Sequence, residues 1–240
     1  MHILITVCAR GGSKGIPGKN IKPANGIPLI TYTIRHAKEF ARRHAADIAL
    51  STEDPTIRAI AARDGLTTEY IRPPELANDV VPKVPVIDHL LRAEERRRGK
   101  RYDSILDLYV NAPLRTQEDL EGAFRMLEKA SPEALDVFSV SLPKHSPYSD
   151  VVERKPDGFY DILRPGTFYP SRQACPEVFE LNGSFTFYRR AFFDTGHQNQ
   201  VTPRSLAYLI PHVCFEIDEP IDFVFLEFLL TEKKLDFPFS

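Results

Sequence analysis

A short apolar run that breaks at once into a glycine-rich cationic loop limits this chain more than any other feature. Ile3 to Ala9 (I-L-I-T-V-C-A) is rich in β-branched residues and has glycines just beyond it. Such a run suits a strand buried on both faces of a parallel sheet. Arg10 to Asn20 (R-G-G-S-K-G-I-P-G-K-N) then gathers Gly11, Gly12, Gly15 and Gly18 with Arg10, Lys14, Lys19 and Ser13. Glycines let backbone amides approach a ligand closely, and the cations set positive charge around whatever those amides cradle. A strand feeding such a loop is a place for phosphates. It is not a Walker loop, because Gly18-Lys19 is followed by Asn20 and Ser13 stands where the first glycine belongs. Nor can a G-x-G-x-x-G dinucleotide pattern be read between Gly11 and Gly18.

The next elements alternate. Pro28 and the spacing of Leu29, Ile30, Thr33, Ile34, Ala37 and Phe40 predict a helix to about Arg43. Asp47 to Ser51 reads as a strand, and Thr52-Glu53-Asp54-Pro55 as the start of a helix ending at Asp64-Gly65. This order predicts βαβ units and a mostly parallel sheet, with ligands beyond the carboxyl ends of the strands. An amphipathic helix through Ile87, Leu90 and Leu91 ends in Arg96-Arg97-Arg98, a basic run that suits a solvated helix C-terminus. Strands are expected at 104–110, 137–142 and 184–188, a helix at 117–130 and a last core helix at 221–231. Between Pro143 and Glu180, repeated prolines break any core periodicity, which marks a functional or interface-forming excursion. Val213 to Pro220 reads as a strand whose alternation puts Glu216 and Asp218 on one side. Two adjacent carboxylates repel unless a cation sits between them, and oxygen ligands suit Mg²⁺.

Composition closes off other classes. The formal net charge of −2 gives no general attraction to nucleic acid or to an anionic membrane. Cys8, Cys175 and Cys214 are scattered with no C-x-x-C, which argues against a disulfide framework or a zinc site. Cys8, inside the first strand, reads as a small buried hydrophobe. The N-terminal apolar run is too short for a signal peptide and nothing approaches a membrane span, so a cytoplasmic setting is expected. The 240 residues fit one α/β domain with 143–180 as an excursion from it.

A-R-G-G-S-K-G-I-P-G-K-N resembles the signature of the CMP-sialic acid synthetases, or acylneuraminate cytidylyltransferases, to which the CMP-Kdo synthetases are related. Further likenesses follow in order along nearly the whole chain. Arg72 to Asp79 fits R-P-x-E-L-A-x-D, Pro113 to Thr116 keeps P-L-R-T, and Glu216 to Asp218 stands where the family carries I-D-I-D. The resemblance implies a Rossmann-like three-layer nucleotidyltransferase fold with a mostly parallel central sheet and an extended dimerisation arm. It implies a CTP site built from Ala9, Arg10, Ser13, Lys14, Lys19, Asn20, Arg72, Asn78 and Lys83. It places a sugar acid against Tyr109, Asn111, Arg115, Arg172, Gln173 and Asn182, and Mg²⁺ on Glu216 and Asp218. Arg10, Lys19 and Asp218 would be catalytic: the sugar's anomeric hydroxyl attacks the α-phosphate of CTP and pyrophosphate leaves. The arm would cross to a second subunit, so a homodimer with shared sites is expected, with no nucleic-acid or membrane partner. The chain departs from the family at Tyr109 (a Gln), Ser149 (a Lys) and Glu180 (an Arg). Those changes leave open Kdo or another non-sialic acceptor, or a catalytically silent nucleotide-binding homologue.

Overall fold

The computed structural model describes residues 1–13, 15–166 and 169–239, with backbone alone at Arg172. The apolar run becomes β1 (Ile3–Cys8), followed by a two-strand ribbon of β2 (Pro23–Ala24) and β3 (Ile27–Pro28) and then α1 (Leu29–His44). β4 (Asp47–Ser51), α2 (Pro55–Arg63), α3 (Lys83–Arg98), β5 (Ser104–Leu108), α4 (Gln117–Lys129) and β6 (Asp136–Ser141) continue the alternation. The excursion contributes a hairpin of β7 (Val152–Arg154) and β8 (Tyr160–Ile162). After it come β9 (Glu180–Arg189), α5 (Arg190–Asp194), β10 (Ser205–Leu209) and α6 (Pro220–Thr231).

The central sheet has six strands in the order β10-β6-β9-β5-β1-β4. β1 lies between β4 and β5, parallel to both, which is why its sequence is apolar but for Thr6, whose hydroxyl is bonded to Asp107 on β5. Its side chains alternate between two cores: Ile3, Ile5 and Val7 face α1, α4 and α6, whereas Leu4 faces α3 and α5. The expected three layers and mostly parallel sheet are therefore present. β9 departs from the pattern, running antiparallel between β5 and β6. After β4 the chain passes back over β1 to form β5, so strand order reverses at the carboxyl end of β1. That crevice is where an open α/β sheet binds ligands.

One expectation needs correction. Val213 to Asp218 forms no strand and joins no ladder, and the edge strand beside β6 is β10, parallel to it. The segment is instead tied down piecemeal: His212 Nε2 lies 2.9 Å from Asp119 Oδ2, and the Ile217 amide donates to the Asn111 carbonyl at 2.7 Å. The proline-rich excursion also has some order, with Lys155 and Asp161 paired at 2.6 Å across its hairpin and Phe159 and Tyr160 exposed there.

One buried acid sets a pH dependence of stability. Asp136, fully buried at the start of β6, accepts a 2.6 Å hydrogen bond from Ser205 Oγ, and its second oxygen has no partner among the described residues. Burial raises its pKa from 3.8 to about 7, against the opposing effect of the Ser205 bond. Between those two values the native state holds a proton that the unfolded chain has released, so stability falls as pH rises through this window. Asp136→Asn keeps the acceptor for Ser205 without the charge. It is expected to be more stable than the parent at pH 8 by about 2–4 kcal/mol, with the gap closing near pH 4. Urea unfolding at the two pH values checks this, and a gap independent of pH would refute it.

Candidate active site

A cleft of about 490 Å³ opens at the carboxyl ends of β1 and β5. One wall is the glycine-rich loop, contributing Arg10, Ser13, Gly15, Lys19 and Asn20. The facing wall is the segment before α3, with Arg72, Asn78, Asp79 and Lys83. Tyr109, Asn111, Glu216 and Asp218 complete it, and Cys8 lies in the floor.

The loop is braced by a bond within itself and a bond to the segment after β4. The Asn20 amide donates to the Arg10 carbonyl at 2.9 Å, and the Gly11 amide donates to Glu53 Oε1 at 2.6 Å. Gly15 lies so close to the Asp218 carbonyl that a Cβ there would collide with backbone. Lys19 crosses the same gap. Its Nζ donates to the Ile217 carbonyl at 2.5 Å and pairs with Asp218 Oδ1 at 3.0 Å. The cationic loop and the acidic segment, about two hundred residues apart in sequence, thus meet in one place.

The two carboxylates converge although no strand aligns them. The Asn111 side-chain amide donates to Glu216 Oε2 at 3.1 Å and lies 3.4 Å from Asp218 Oδ1. Asp222 Oδ2, in the first turn of α6, accepts from the Asp218 amide at 3.0 Å and fixes the backbone there. Glu216 packs where a Cβ on Gly183 would stand, and Gly183 has φ of 55°, so that position calls for glycine twice over. Burial first, and the neighbouring Asp218 second, raise the Glu216 pKa above its ordinary value. Two oxygen donors of like charge held side by side fit a divalent cation that also takes phosphate oxygens. Among the described residues no group of three or more His, Cys, Asp or Glu forms a fuller metal cage.

The structure sorts the remaining expected residues. Arg72 reaches the cleft, but its guanidinium is largely committed, donating to Ser51 Oγ at 2.9 Å and to the Ser51 carbonyl at 2.8 Å. Asn78 caps its own turn, accepting from the Val80 and Val81 amides. Ala9 is buried, its amide bonded to the Ser51 carbonyl, and does not line the cleft. Arg115 does not reach it either. Wholly buried, its guanidinium donates to the Ser184 and Tyr109 carbonyls and to Thr33 Oγ1, and burial lowers its pKa to about 10. Asn182 is likewise a core residue, bonded to Ser139 and Ser141, and Gln173 is exposed on the excursion away from the cleft. Both were expected at the sugar; as placed, neither lines the cleft. Lys14 and the side chain of Arg172 lie outside the described residues.

Sequence reasoning gave Asp79 and Asp107 no role and read Cys8 as a small buried hydrophobe. Asp79, the acid of R-P-x-E-L-A-x-D, forms an ion pair with Arg10 that joins the two walls. Asp107, fully buried on β5, faces Lys83 across 2.6 Å. Cys8 is only partly buried and borders the cleft rather than filling the core. Burial and the nearby Asp107 push its thiol up to about 12, so it is no nucleophile near neutral pH. Of the two acids, only Asp79 left a trace in the sequence, as part of a motif.

Comparison with known proteins agrees with this geometry. The family described as "Cytidylyltransferase" matches residues 4–190. The chain is 33% identical over 236 residues to the post-translational flagellin modification protein B of Campylobacter coli, covering 98% of this chain and 97% of that one. It is 30% identical over 235 residues to the CMP-N,N'-diacetyllegionaminic acid synthase of Campylobacter jejuni, with the same coverage. Among solved structures, a CMP:2-keto-3-deoxy-manno-octonic acid synthetase complexed with CTP superposes with a TM-score of 0.68, over 97% of this chain and 100% of that chain, at 16% identity. A loop for phosphates, a pair of carboxylates opposite it and a profile match over most of the chain agree, and the chain belongs to the cytidylyltransferase family of nucleotidyltransferases.

Proposed function

We propose that this protein transfers CMP from CTP to the anomeric hydroxyl of a sialic-acid-like nonulosonic sugar acid and releases pyrophosphate. The observation that carries the proposal is Lys19, which joins the glycine-rich loop to the Glu216–Asp218 pair inside one cleft. In this reading the loop amides with Arg10, Ser13, Lys14, Lys19 and Asn20 take the triphosphate. Arg10 and Lys19 exchange Asp79 and Asp218 for phosphate oxygens when CTP enters, since each is already poised against an acid. Arg72 and Asn78 wall the base and ribose. Tyr109 and Asn111 border the acceptor, and Asn111 keeps the two carboxylates oriented.

Glu216 and Asp218 would hold Mg²⁺, which when bound supplies charge neutralisation at phosphate oxygens and lowers the pKa of a hydroxyl near it. The residues do the rest by placement. Lys19 stands beside the departing pyrophosphate, and the cleft walls keep the reacting centre in a preorganised setting. The legionaminic acid synthase among the relatives supports a nonulosonic acceptor. The CMP-Kdo synthetase likeness, at 16% identity, bears on fold alone. The proposal includes the homodimer implied by the resemblance, which would cover Phe159 and Tyr160. A sedimentation mass of one chain would remove that part.

The test is pyrophosphate release with each of the four common ribonucleoside triphosphates and a panel of sugar acids: N-acetylneuraminic, diacetyllegionaminic, pseudaminic and Kdo. CTP with a nine-carbon acid is expected to outpace every other combination. Equal use of a purine nucleotide would contradict the cytidylyl reading, and preference for Kdo would correct the acceptor.

A further inference from the structure

Lys83 is the first residue of α3, a position where the helix dipole offers a cation nothing. Its side chain turns inward. Nζ lies 2.6 Å from Asp107 Oδ2 and 2.7 Å from the centroid of the Tyr109 ring, out of contact with solvent. The other Asp107 oxygen accepts from Thr6 Oγ1 at 2.7 Å, so the acid itself is anchored in β1. Tyr109 is gripped at its far end too, its hydroxyl donating to Gln200 Oε1 at 2.6 Å. Its carbonyl accepts from Thr33 and Arg115. The ring therefore enters the cleft fixed at its backbone, at its hydroxyl and by a cation against its π-system. Burial lowers the Lys83 pKa, against the opposing effect of Asp107.

We propose that Lys83, clamped between Asp107 and the Tyr109 ring, is a positioning residue for the acceptor rather than a nucleotide contact, and that it fixes the ring as a wall for an apolar edge of the acceptor. This rests on the cytidylyl-transfer reading above. An aromatic ring favours carbon-bound hydrogens and methyl groups. The amide that the resembling family carries at this position would instead exchange hydrogen bonds with hydroxyls. The acceptor class follows: a sugar acid presenting N-acyl methyl or deoxy carbons to Tyr109, not a fully hydroxylated chain.

The experiment uses the full-length protein with CTP and N,N'-diacetyllegionaminic acid, comparing Lys83→Met, Asp107→Asn and the double variant by steady-state kinetics and thermal melting. Lys83→Met leaves a lone buried carboxylate, so Tm is expected to fall. The KM for the acceptor should rise by about tenfold, the scale of a desolvated cation–π contact, while the KM for CTP stays within about twofold. The double variant removes the unpaired charge and should recover Tm but not the acceptor KM. Two results would overturn the proposal: a raised KM for CTP with the acceptor KM unchanged, or an acceptor KM that recovers together with Tm. If the parent protein moves CMP to no sugar acid at all, the functional reading falls before any variant is compared.

Discussion

Asp218→Asn is expected to lower kcat by about 100-fold or more, because metal charge stabilisation at a transferring phosphoryl group is worth several kcal/mol. The substitution keeps shape and much of the hydrogen bonding. The Asp218 backbone amide stays bonded to Asp222, and the side-chain oxygen can still meet Lys19 and Asn111. What it removes is one of two charges facing a cation, while Glu216 remains. The fold should survive, since the Asp218 side chain is mostly exposed. Kinetics at saturating CTP and acceptor with a Mg²⁺ titration reads the effect, and circular dichroism checks the fold. Turnover close to that of the parent would move the metal away from this pair.

Lys19→Ala carries the second large effect. The ammonium bridges the Ile217 carbonyl and Asp218, so its loss takes a positioned cation from the pyrophosphate and loosens the acidic segment. The expected fall in kcat is on the order of 100-fold, the scale for one preorganised transition-state donor. Separate kcat and KM values decide what kind of residue Lys19 is. A rise in KM for CTP with kcat unchanged would mean that it binds ground state and transition state equally, and its catalytic assignment would fail.

The parts of the molecule that the sequence announced are those governed by local pattern. β1 could be read because a strand covered on both faces is nearly all apolar, and α2 because Asp54 caps it: its carboxylate accepts from Thr56 and Ile57. β10 went unseen because Ser205 to Leu209 is a half-exposed edge with little hydrophobic alternation. The acidic segment was read as a strand from its alternation. The convergence of Glu216 and Asp218 comes instead from Asn111 and Gly183, partners distant in sequence, with Asp222 fixing the backbone from four residues on. The same limit explains Arg115. Its charge suggests a ligand for an anion, but three elements supply it with carbonyl and hydroxyl acceptors, which no spacing within P-L-R-T reveals. The glycine-rich loop succeeded because its chemistry and geometry are encoded in one contiguous stretch.

The central claim is that one cleft joins CMP to a sugar acid, and isolating the product tests it most directly. Incubation with CTP, Mg²⁺ and N,N'-diacetyllegionaminic acid, followed by mass spectrometry and phosphorus NMR, should show one CMP-sugar formed per pyrophosphate, a phosphodiester at the anomeric carbon and no product when the sugar acid is omitted. Pyrophosphate release that proceeds equally without an acceptor, or CTP left unchanged with every sugar acid of the panel, would contradict it.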